Sequence, residues 1–305
     1  MTIKKTDKKL FFGTAMWGWG IDKQAAFNML NAFIENGGVY VDTATNYPID
    51  KAPQHFGLAI DWLSEWVSIY GEQHLKILVK IGSIDNSGND RTNLSASNIE
   101  KTRNYLDKKL DSSLSCISVH WDNRDDFDSI GETVNALNSI YKSGLDIGIS
   151  GIMRPDLYYK SAPELDGKWI IQAKNNLVTT GPVDSYLEYF TKSKCLAYGI
   201  NMGGLKRDFD PSSSMTLRGI KSDDKILNNV EEFLLSNYSL KPKPTSLNEL
   251  SLALSYLNPK LDGVIIGPRN IDQLLNSIVY WNLLHDNKNV DDSVKYQELI
   301  TILTK

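Results

Sequence analysis

The feature that most constrains this chain is a regular alternation of short apolar segments with amphipathic ones. Eight apolar segments have the composition of β-strands, and a helical pattern follows nearly every one. Such alternation favours parallel strands, because a parallel pair needs a long crossover connection, which is usually a helix. Eight such units in 305 residues predict an α/β fold, a parallel eight-stranded (β/α)8 TIM barrel. The predicted strands are residues 10–15, 39–42, 77–80, 116–120, 145–150, 168–172, 193–198 and 263–267.

The chain shows no linker and no low-complexity segment, so we expect residues 1–305 to form one domain. The pattern Gly-x-Gly-x-x-Gly does not follow the first strand, which disfavours an open doubly wound sheet. One predicted helix runs from Gln54 to Ile69, with Phe56 on its apolar side. The polar stretches 83–93 and 207–224 are long enough to be lids rather than simple connections.

Composition limits the partners and the location of the protein. A formal net charge of -4 gives no reason to expect nucleic acid or a membrane surface as a partner. No apolar run approaches the roughly 18 residues that a membrane helix needs, and no apolar run follows the polar N-terminus as in a signal peptide. We therefore expect a cytoplasmic protein, with Cys116 and Cys195 as buried free thiols.

Polar side chains stand at the ends of the predicted apolar strands, where the active face of such a barrel lies. Asp42, Lys80 and His120 end three strands, and Tyr47 follows Asp42 by five residues. Each has an ordinary explanation alone: a cap, a surface lysine, a buried histidine, a packing ring. Together they form a proton-transfer set. No histidine pair has metal-ligand spacing, so no metal site is expected.

Four segments resemble the aldo-keto reductase family in order and position: Phe12–Gly18, Val41–Tyr47, Val79–Lys80 and Ser118–Trp121. The resemblance extends from Phe12 to about Asn282. It implies a (β/α)8 barrel that reduces aldehydes and ketones with NADPH, or in some members NADH, and without a metal. NADPH is expected here rather than NADH, mainly because of Arg269.

The resemblance also implies roles for the polar side chains. Tyr47 would be the proton donor, Lys80 its neighbour, and Asp42 the partner of Lys80. His120 would orient the carbonyl oxygen. A lysine ammonium beside a phenol would bring the phenol toward a pKa suited to acid catalysis.

The cofactor would be held by residues after the later strands. By resemblance, Ser150 and Gln172 hold the nicotinamide carboxamide, Tyr198 stacks on the ring, and Gly199 with the run Met202–Leu205 lies under the pyrophosphate. By the same resemblance, the segment Gly267–Gln273 would hold the adenosine 2′-phosphate of the cofactor, with Arg269 as the charged contact. The cofactor contacts implied are therefore Ser150, Gln172, Tyr198, Gly199, Gly203, Leu205, Gly267, Arg269 and Gln273.

This sequence departs from the family pattern at three places. Gly151 stands where an asparagine usually follows the serine, which leaves one carboxamide contact without its side chain. Ser277 stands at the usual asparagine of the last helix, which weakens the adenine contact. The N-terminal hairpin that closes the bottom of the barrel looks shortened or absent, since the first strand begins near Leu10.

The substrate wall is expected to be aromatic, built from Trp17, Trp19 and Trp121, although one or two of these could only pack at the barrel rim. Such a wall suits a small neutral aldehyde, ketone or sugar. Arg124 and Arg154 are near enough to meet a substrate carboxylate, but we expect both to be solvated. We expect a monomer or small homo-oligomer.

Two alternatives stay open at this point. One is a non-catalytic or regulatory NADP(H)-binding barrel, and the other is a barrel isomerase or hydrolase of another class.

Overall fold

A closed barrel of eight parallel strands forms the centre of the molecule, in the order β1 to β8 with β8 pairing back onto β1. The structure is a computed structural model that describes residues 8–71, 75–87, 91–207, 214–217, 219, 221, 223–236, 238, 240–287 and 292–304. The strands confirm the predicted parallel eight-stranded barrel. They are β1 Lys9–Gly13, β2 Tyr40–Ala44, β3 Lys76–Ile81, β4 Leu114–His120, β5 Asp146–Ser150, β6 Trp169–Lys174, β7 Lys194–Tyr198 and β8 Gly263–Ile266.

Helices follow the strands and cover the barrel. Asp22, Asp126, Ser246 and Asn270 each cap one of them by accepting a backbone N–H. Within the described residues, no helix has the length and apolar character to cross a membrane. The helices are α1 Lys23–Glu35, α2 Leu58–Tyr70, α3 Ala96–Leu110, α4 Phe127–Lys142, α5 Pro155–Ser161, α6 Gly181–Leu187, α7 Ser214–Leu217, α8 Asp224–Leu235, α9 Leu247–Leu257, α10 Ile271–Asp286 and α11 Asp292–Leu303.

Side chains along each strand alternate between two environments, as the period of a strand requires. One set, which includes Val41, Val79 and Val119, packs in the main core with the helices. The other set faces the barrel interior and forms a separate apolar cluster of Phe11, Leu78, Cys116, Leu196 and Ile265. This alternation matters for the site. Asp42 and Lys80 each stand two residues from a neighbour that faces the barrel interior, so they face the interior as well.

The predicted helix from Gln54 is wrong in its start. Residues Pro53–His55 form a short 3-10 turn, Gly57 takes a left-handed conformation with φ of 83°, and α2 begins only at Leu58. Phe56 therefore lies outside the helix and is exposed rather than on its apolar side. Half of the predicted lid 207–224, part of the lid 83–93 and the first seven residues lie outside the described residues.

Candidate active site

The predicted residues come together because their side chains face the barrel interior, and not because each of them ends its strand. Asp42 is the third of five residues of β2, and Gln172 lies two residues before the end of β6. The ladder places Ala44 beside Lys80 and Ser150 beside Gln172. Inward-facing residues of neighbouring parallel strands point into one space, so these side chains meet inside the upper barrel.

The buried carboxylate of Asp42 binds two other residues of this group. The Lys80 Nζ donates to Asp42 Oδ2 at 2.5 Å, and the Gln172 Nε2 donates to Asp42 Oδ1 at 2.8 Å. All three residues are almost fully buried. The two carboxylate oxygens therefore each accept from a different strand, which fixes the Asp42 carboxylate in orientation. Gln172, expected as a carboxamide contact, uses its amide N–H on Asp42 in this structure.

Lys80 keeps its charge despite complete burial. Desolvation alone would lower its pKa, but attraction and hydrogen bonding to Asp42, and then to Tyr47, outweigh burial and leave the pKa above its ordinary value. The Lys80 ammonium lies 4.9 Å from the centroid of the Tyr47 ring. The site therefore holds one permanent positive charge beside a phenol.

Tyr47 comes from the turn after β2. Its backbone N–H donates to Ala44 O at 3.1 Å and its carbonyl accepts from Ala59 N at 3.3 Å, so the turn is tied to both β2 and α2. The ring is 8% exposed and meets the His120 ring edge-on, with centroids 5.9 Å apart. The four residues Asp42, Tyr47, Lys80 and His120 thus lie together, and their role as a proton-transfer set stays a prediction.

His120 is neutral in this setting. Burial, and after it the charge of Lys80, lowers its pKa well below the ordinary value. Its Nδ1 is buried and has no hydrogen-bond partner among the described residues. A neutral imidazole carries one N–H, and an unpaired buried donor is more costly than an unpaired lone pair. We therefore assign the proton to Nε2.

The three tryptophans expected at the substrate wall divide into two roles. Trp17 is fully buried and packs against Phe12 and Trp62, with ring centroids at 5.8 and 6.3 Å. It is a packing residue of the rim with no open face, one of the two roles considered for it. Trp19 and Trp121 are partly exposed and can still contribute to a wall.

The missing asparagine after Ser150 has a structural counterpart. Gly151 has φ of 67°, and a Cβ atom there would lie 2.6 Å from Cδ1 of Trp121. The Trp121 indole therefore fills the space of a side chain at this position. Trp121 itself has φ of 56° and stacks on His120 at 4.0 Å between centroids, a left-handed conformation that is uncommon for a large residue.

Tyr198 and the loop after it close the next part of the interior. Tyr198 is half-buried, and burial followed by the nearby Tyr47 raises its pKa, so it stays a neutral phenol. Gly199, with φ of 67°, begins the loop. Gly203 is half-buried and Leu205 is buried. Tyr198 is thus next to the catalytic candidates, and the loop runs outward from it.

The segment after β8 lies beside the loop after β1. The Arg269 backbone N–H donates to Gln273 Oε1 at 2.9 Å, and a Cβ atom at Gly20 would lie 2.6 Å from Arg269 Nη2. Gly267 is exposed and precedes Pro268. The guanidinium therefore crosses from the end of β8 to the Gly20 turn.

Two polar groups near the site were missed from the sequence. The first is a buried cluster in which the Arg124 Nη2 and the Tyr158 hydroxyl donate to Asp122 Oδ2 at 2.7 and 2.6 Å. Arg124 was expected to be solvated, but it is half-buried and paired. The signal available in the sequence was Asp122, a carboxylate that directly follows β4 and Trp121.

The second missed group links the loop after β7 to α10. The Asn201 Nδ2 donates to Asn248 Oδ1 at 2.7 Å, and the Asn248 Nδ2 donates to Ser277 Oγ at 2.9 Å. Ser277 is buried and its hydroxyl also donates to Gln273 O. Ser277 therefore serves this link. Asparagines in separate elements gave no sequence signal of their pairing.

One comparison shows the family of this chain, and two solved structures share its fold. The model of the Aldo/keto reductase family matches residues 9–297. A solved holo structure of an aldo-keto reductase from Bacillus halodurans has a TM-score of 0.69 at 18% identity, covering 97% of this chain and 92% of that chain. A glycerol dehydrogenase from Gluconobacter oxydans has a TM-score of 0.71 at 17% identity, covering 99% and 94%. An uncharacterized 11.2 kDa protein of Pseudescherichia vulneris is 29% identical over 76 residues, 24% of this chain and 74% of that protein.

Proposed function

The chain belongs to the aldo/keto reductase family and is an oxidoreductase, and from this premise we propose that it reduces an aldehyde or ketone to an alcohol with NADPH. The observation that carries the proposal is the buried contact of the Lys80 ammonium with Asp42 and the Tyr47 ring. Charged side chains are almost never fully buried unless they are paired, as Lys80 is with Asp42. Here the Lys80 ammonium lies where it stabilises the phenolate left after Tyr47 gives up a proton.

The residues present fit a nicotinamide cofactor at most points. Inward-facing Ser150 and half-buried Tyr198 lie beside the Tyr47 group, and Gly199 opens an uncharged loop in a left-handed conformation. Position 151 does not fit the family contact, because Trp121 fills it. When bound, the cofactor supplies the hydride. We assign its contacts to Ser150, Gln172, Tyr198, Gly199, Gly203, Leu205, Gly267, Arg269 and Gln273.

The side chains of the site divide the proton chemistry among them. Tyr47 donates its hydroxyl proton to the oxygen of the substrate carbonyl. Lys80 stabilises the resulting phenolate, and Asp42 holds the ammonium in place. The His120 Nε2–H, on a ring held neutral by burial, donates a hydrogen bond to the same oxygen and orients it.

The substrate is expected to be uncharged. Partly exposed Trp19 and Trp121 offer aromatic faces. Arg124 is held by Asp122, and Arg154 donates twice to Asp156 at 2.9 Å. Since both arginines are already paired, neither is available to a substrate carboxylate. A neutral aldehyde or ketone, including a sugar-derived one, suits this wall.

Replacing the proton donor tests the proposal. In Tyr47→Phe, kcat for NADPH-dependent reduction of a panel of aldehydes, ketones and sugars should fall about 10²- to 10⁴-fold, because general acid catalysis is worth that much. Binding of NADPH, followed by quenching of tryptophan fluorescence, should change little. Tyr159→Phe removes a phenol hydroxyl from α5 and should leave both unchanged.

Normal turnover by Tyr47→Phe would refute the assignment of the donor. Wild-type protein that binds NADPH but reduces no carbonyl compound in the panel would favour the regulatory alternative.

A further inference from the structure

We propose that Lys174 is a further binding residue of this protein, and that its ammonium contacts the diphosphate of the dinucleotide cofactor. This inference rests on the proposed function. Lys174 is the last residue of β6, and its Cα pairs with Tyr198, the last residue of β7. It stands two residues beyond Gln172 and so shares the inward side of that strand. Lys174 therefore lies at the mouth of the barrel, next to the candidate stacking ring.

The side chain of Lys174 lies along the start of the loop that follows β7. A Cβ atom at Gly199 would lie 3.6 Å from Cγ and 3.9 Å from Cε of Lys174. The aliphatic stem thus covers Gly199 at ordinary contact distance, while the residue as a whole is exposed. The ammonium forms no hydrogen bond or ion pair with any residue that the structure describes. Lys174 therefore lies over the loop, and no described residue neutralises its positive charge.

Among the described residues, the loop presents free N–H donors, and two of its carbonyl acceptors are occupied. The Gly199 carbonyl accepts from Asn176 Nδ2 at 3.0 Å and from Met202 N at 3.1 Å. The Asn201 carbonyl accepts from Gly204 N at 2.7 Å and Leu205 N at 3.1 Å. In the described part of the chain, the N–H groups of residues 200, 201 and 203 donate to no acceptor. Successive free N–H groups near left-handed residues form a concave site for anions.

Residues 199–205 contain no charged side chain, so the loop alone offers hydrogen bonds without a counter-charge. Lys174 supplies that charge from the neighbouring strand. An ammonium acts on phosphate as a point charge, without the fixed geometry of a guanidinium. Because the ammonium is exposed, its attraction to phosphate will be screened by salt.

The experiment compares NADPH binding by wild type, Lys174→Met and Lys174→Arg, with tryptophan fluorescence quenching as the readout. Methionine keeps an unbranched stem on Gly199 and removes the charge. Its Kd for NADPH should rise about tenfold, the lower end for a hydrogen bond to a charged group. Arginine should keep the Kd within about threefold of wild type. The matched control Lys142→Met removes an exposed lysine at the end of α4 and should bind as wild type does.

Two further arms separate phosphate contact from a structural effect. Adenosine 2′-monophosphate, which lacks the diphosphate, should compete equally well in wild type and Lys174→Met. Raising salt from about 50 to 300 mM should weaken NADPH binding less in Lys174→Met than in wild type.

If wild type binds NADPH and Lys174→Met binds it equally tightly, this inference fails while the proposed function stands. Equal weakening of adenosine 2′-monophosphate binding in Lys174→Met would also overturn it. If wild type binds no NADPH, the proposed function itself fails.

Discussion

The charge on Lys80 is decided by two neighbours rather than by its exposure. Burial favours the neutral amine, yet the pKa of Lys80 lies above its ordinary value because Asp42 and Tyr47 surround the ammonium. Asp42 in turn accepts from Gln172 on the opposite side of its carboxylate. Removing the carboxylate therefore leaves a buried cation and a buried amide without their acceptor.

Asp42→Asn should destabilise the fold strongly. Breaking a buried ion pair by removing one partner costs roughly 3–5 kcal/mol in the free energy of unfolding. Urea denaturation of the two proteins at neutral pH measures the loss. The double variant Asp42→Leu with Lys80→Met replaces both charges by apolar groups and should recover part of it, since the Gln172 amide still lacks its acceptor.

An exposed ion pair provides the matched control for that prediction. Lys23 and Glu65 pair at 2.8 Å with nearly half of each side chain exposed. Lys23→Met should cost less than about 1 kcal/mol, because solvent screens such pairs. An Asp42→Asn variant as stable as Lys23→Met would show that the buried pair does not carry the stability assigned to it.

Single residues also show where sequence reasoning stops. Asp42, Lys80 and His120 were singled out because they end predicted strands, and Tyr47 because it follows Asp42 by five residues; the family resemblance then implied a role for each. Trp17 was placed at the substrate wall, yet it is fully buried. Whether a ring at a strand end turns inward or out depends on neighbours such as Trp62, which is distant in sequence and packs on it.

Among elements, the ends of β4 and β5 act as one unit. The backbone N–H of Trp121 donates to Ser150 O at 2.9 Å, and the backbone N–H of Met153 donates to Asp122 O at 2.8 Å. Arg124 from the same loop and Tyr158 from α5 hold the Asp122 side chain. The Trp121 indole is thereby held against His120 and in the space beside Gly151.

Gly151→Ala should destabilise the protein by two separate effects. The left-handed backbone costs a non-glycine residue roughly 1–2 kcal/mol, and the new Cβ collides with Trp121. Gly37→Ala isolates the first effect, since Gly37 has φ of 82° and no atom within 4 Å of the new Cβ. Thermal unfolding should show a larger loss for Gly151→Ala, by about 1 kcal/mol or more.

A double variant shows whether Trp121 is the cause of the excess. Trp121→Ala removes the indole, so adding Gly151→Ala to that background should cost no more than Gly37→Ala does. An excess that persists without the indole would mean that the collision lies elsewhere.

The elements themselves were largely predictable from the sequence. All eight strands follow from apolar runs separated by amphipathic stretches. The start of α2 was not predictable, because a helical pattern continues through Gln54 to Gly57 while Pro53 and the left-handed Gly57 set a 3-10 turn first. Pairings between loops, such as Asn201 with Asn248, depend on three-dimensional closure and have no local pattern.

Over the whole molecule, the barrel interior is divided along its axis. An apolar cluster that includes Phe11, Leu78 and Ile265 occupies the interior, and the charged and polar group of Asp42, Lys80 and His120 lies toward the carboxyl ends of the strands. The closed ladder and the surrounding helices keep solvent from both. This enclosure keeps His120 neutral, whereas Lys80 beside it stays charged because its interactions with Asp42 and Tyr47 outweigh burial.

Enclosure of His120 should make the stability of the whole fold depend on pH below neutrality. The folded-state pKa of His120 lies well below the ordinary value, whereas the unfolded chain titrates near about 6.5. As the pH falls from the unfolded-state pKa toward the folded-state pKa, His120 binds a proton in the unfolded state but not in the folded state. The free energy of unfolding therefore decreases. The loss approaches about 1.4 kcal/mol for each pH unit within that window. Urea denaturation at pH values from about 8 down to 5 measures it. His120→Asn should flatten the profile below pH about 6.5 and run parallel to wild type above about 7.5, where neither protein titrates at this position. An unchanged acid slope in His120→Asn would show that protonation of His120 is not what weakens the fold.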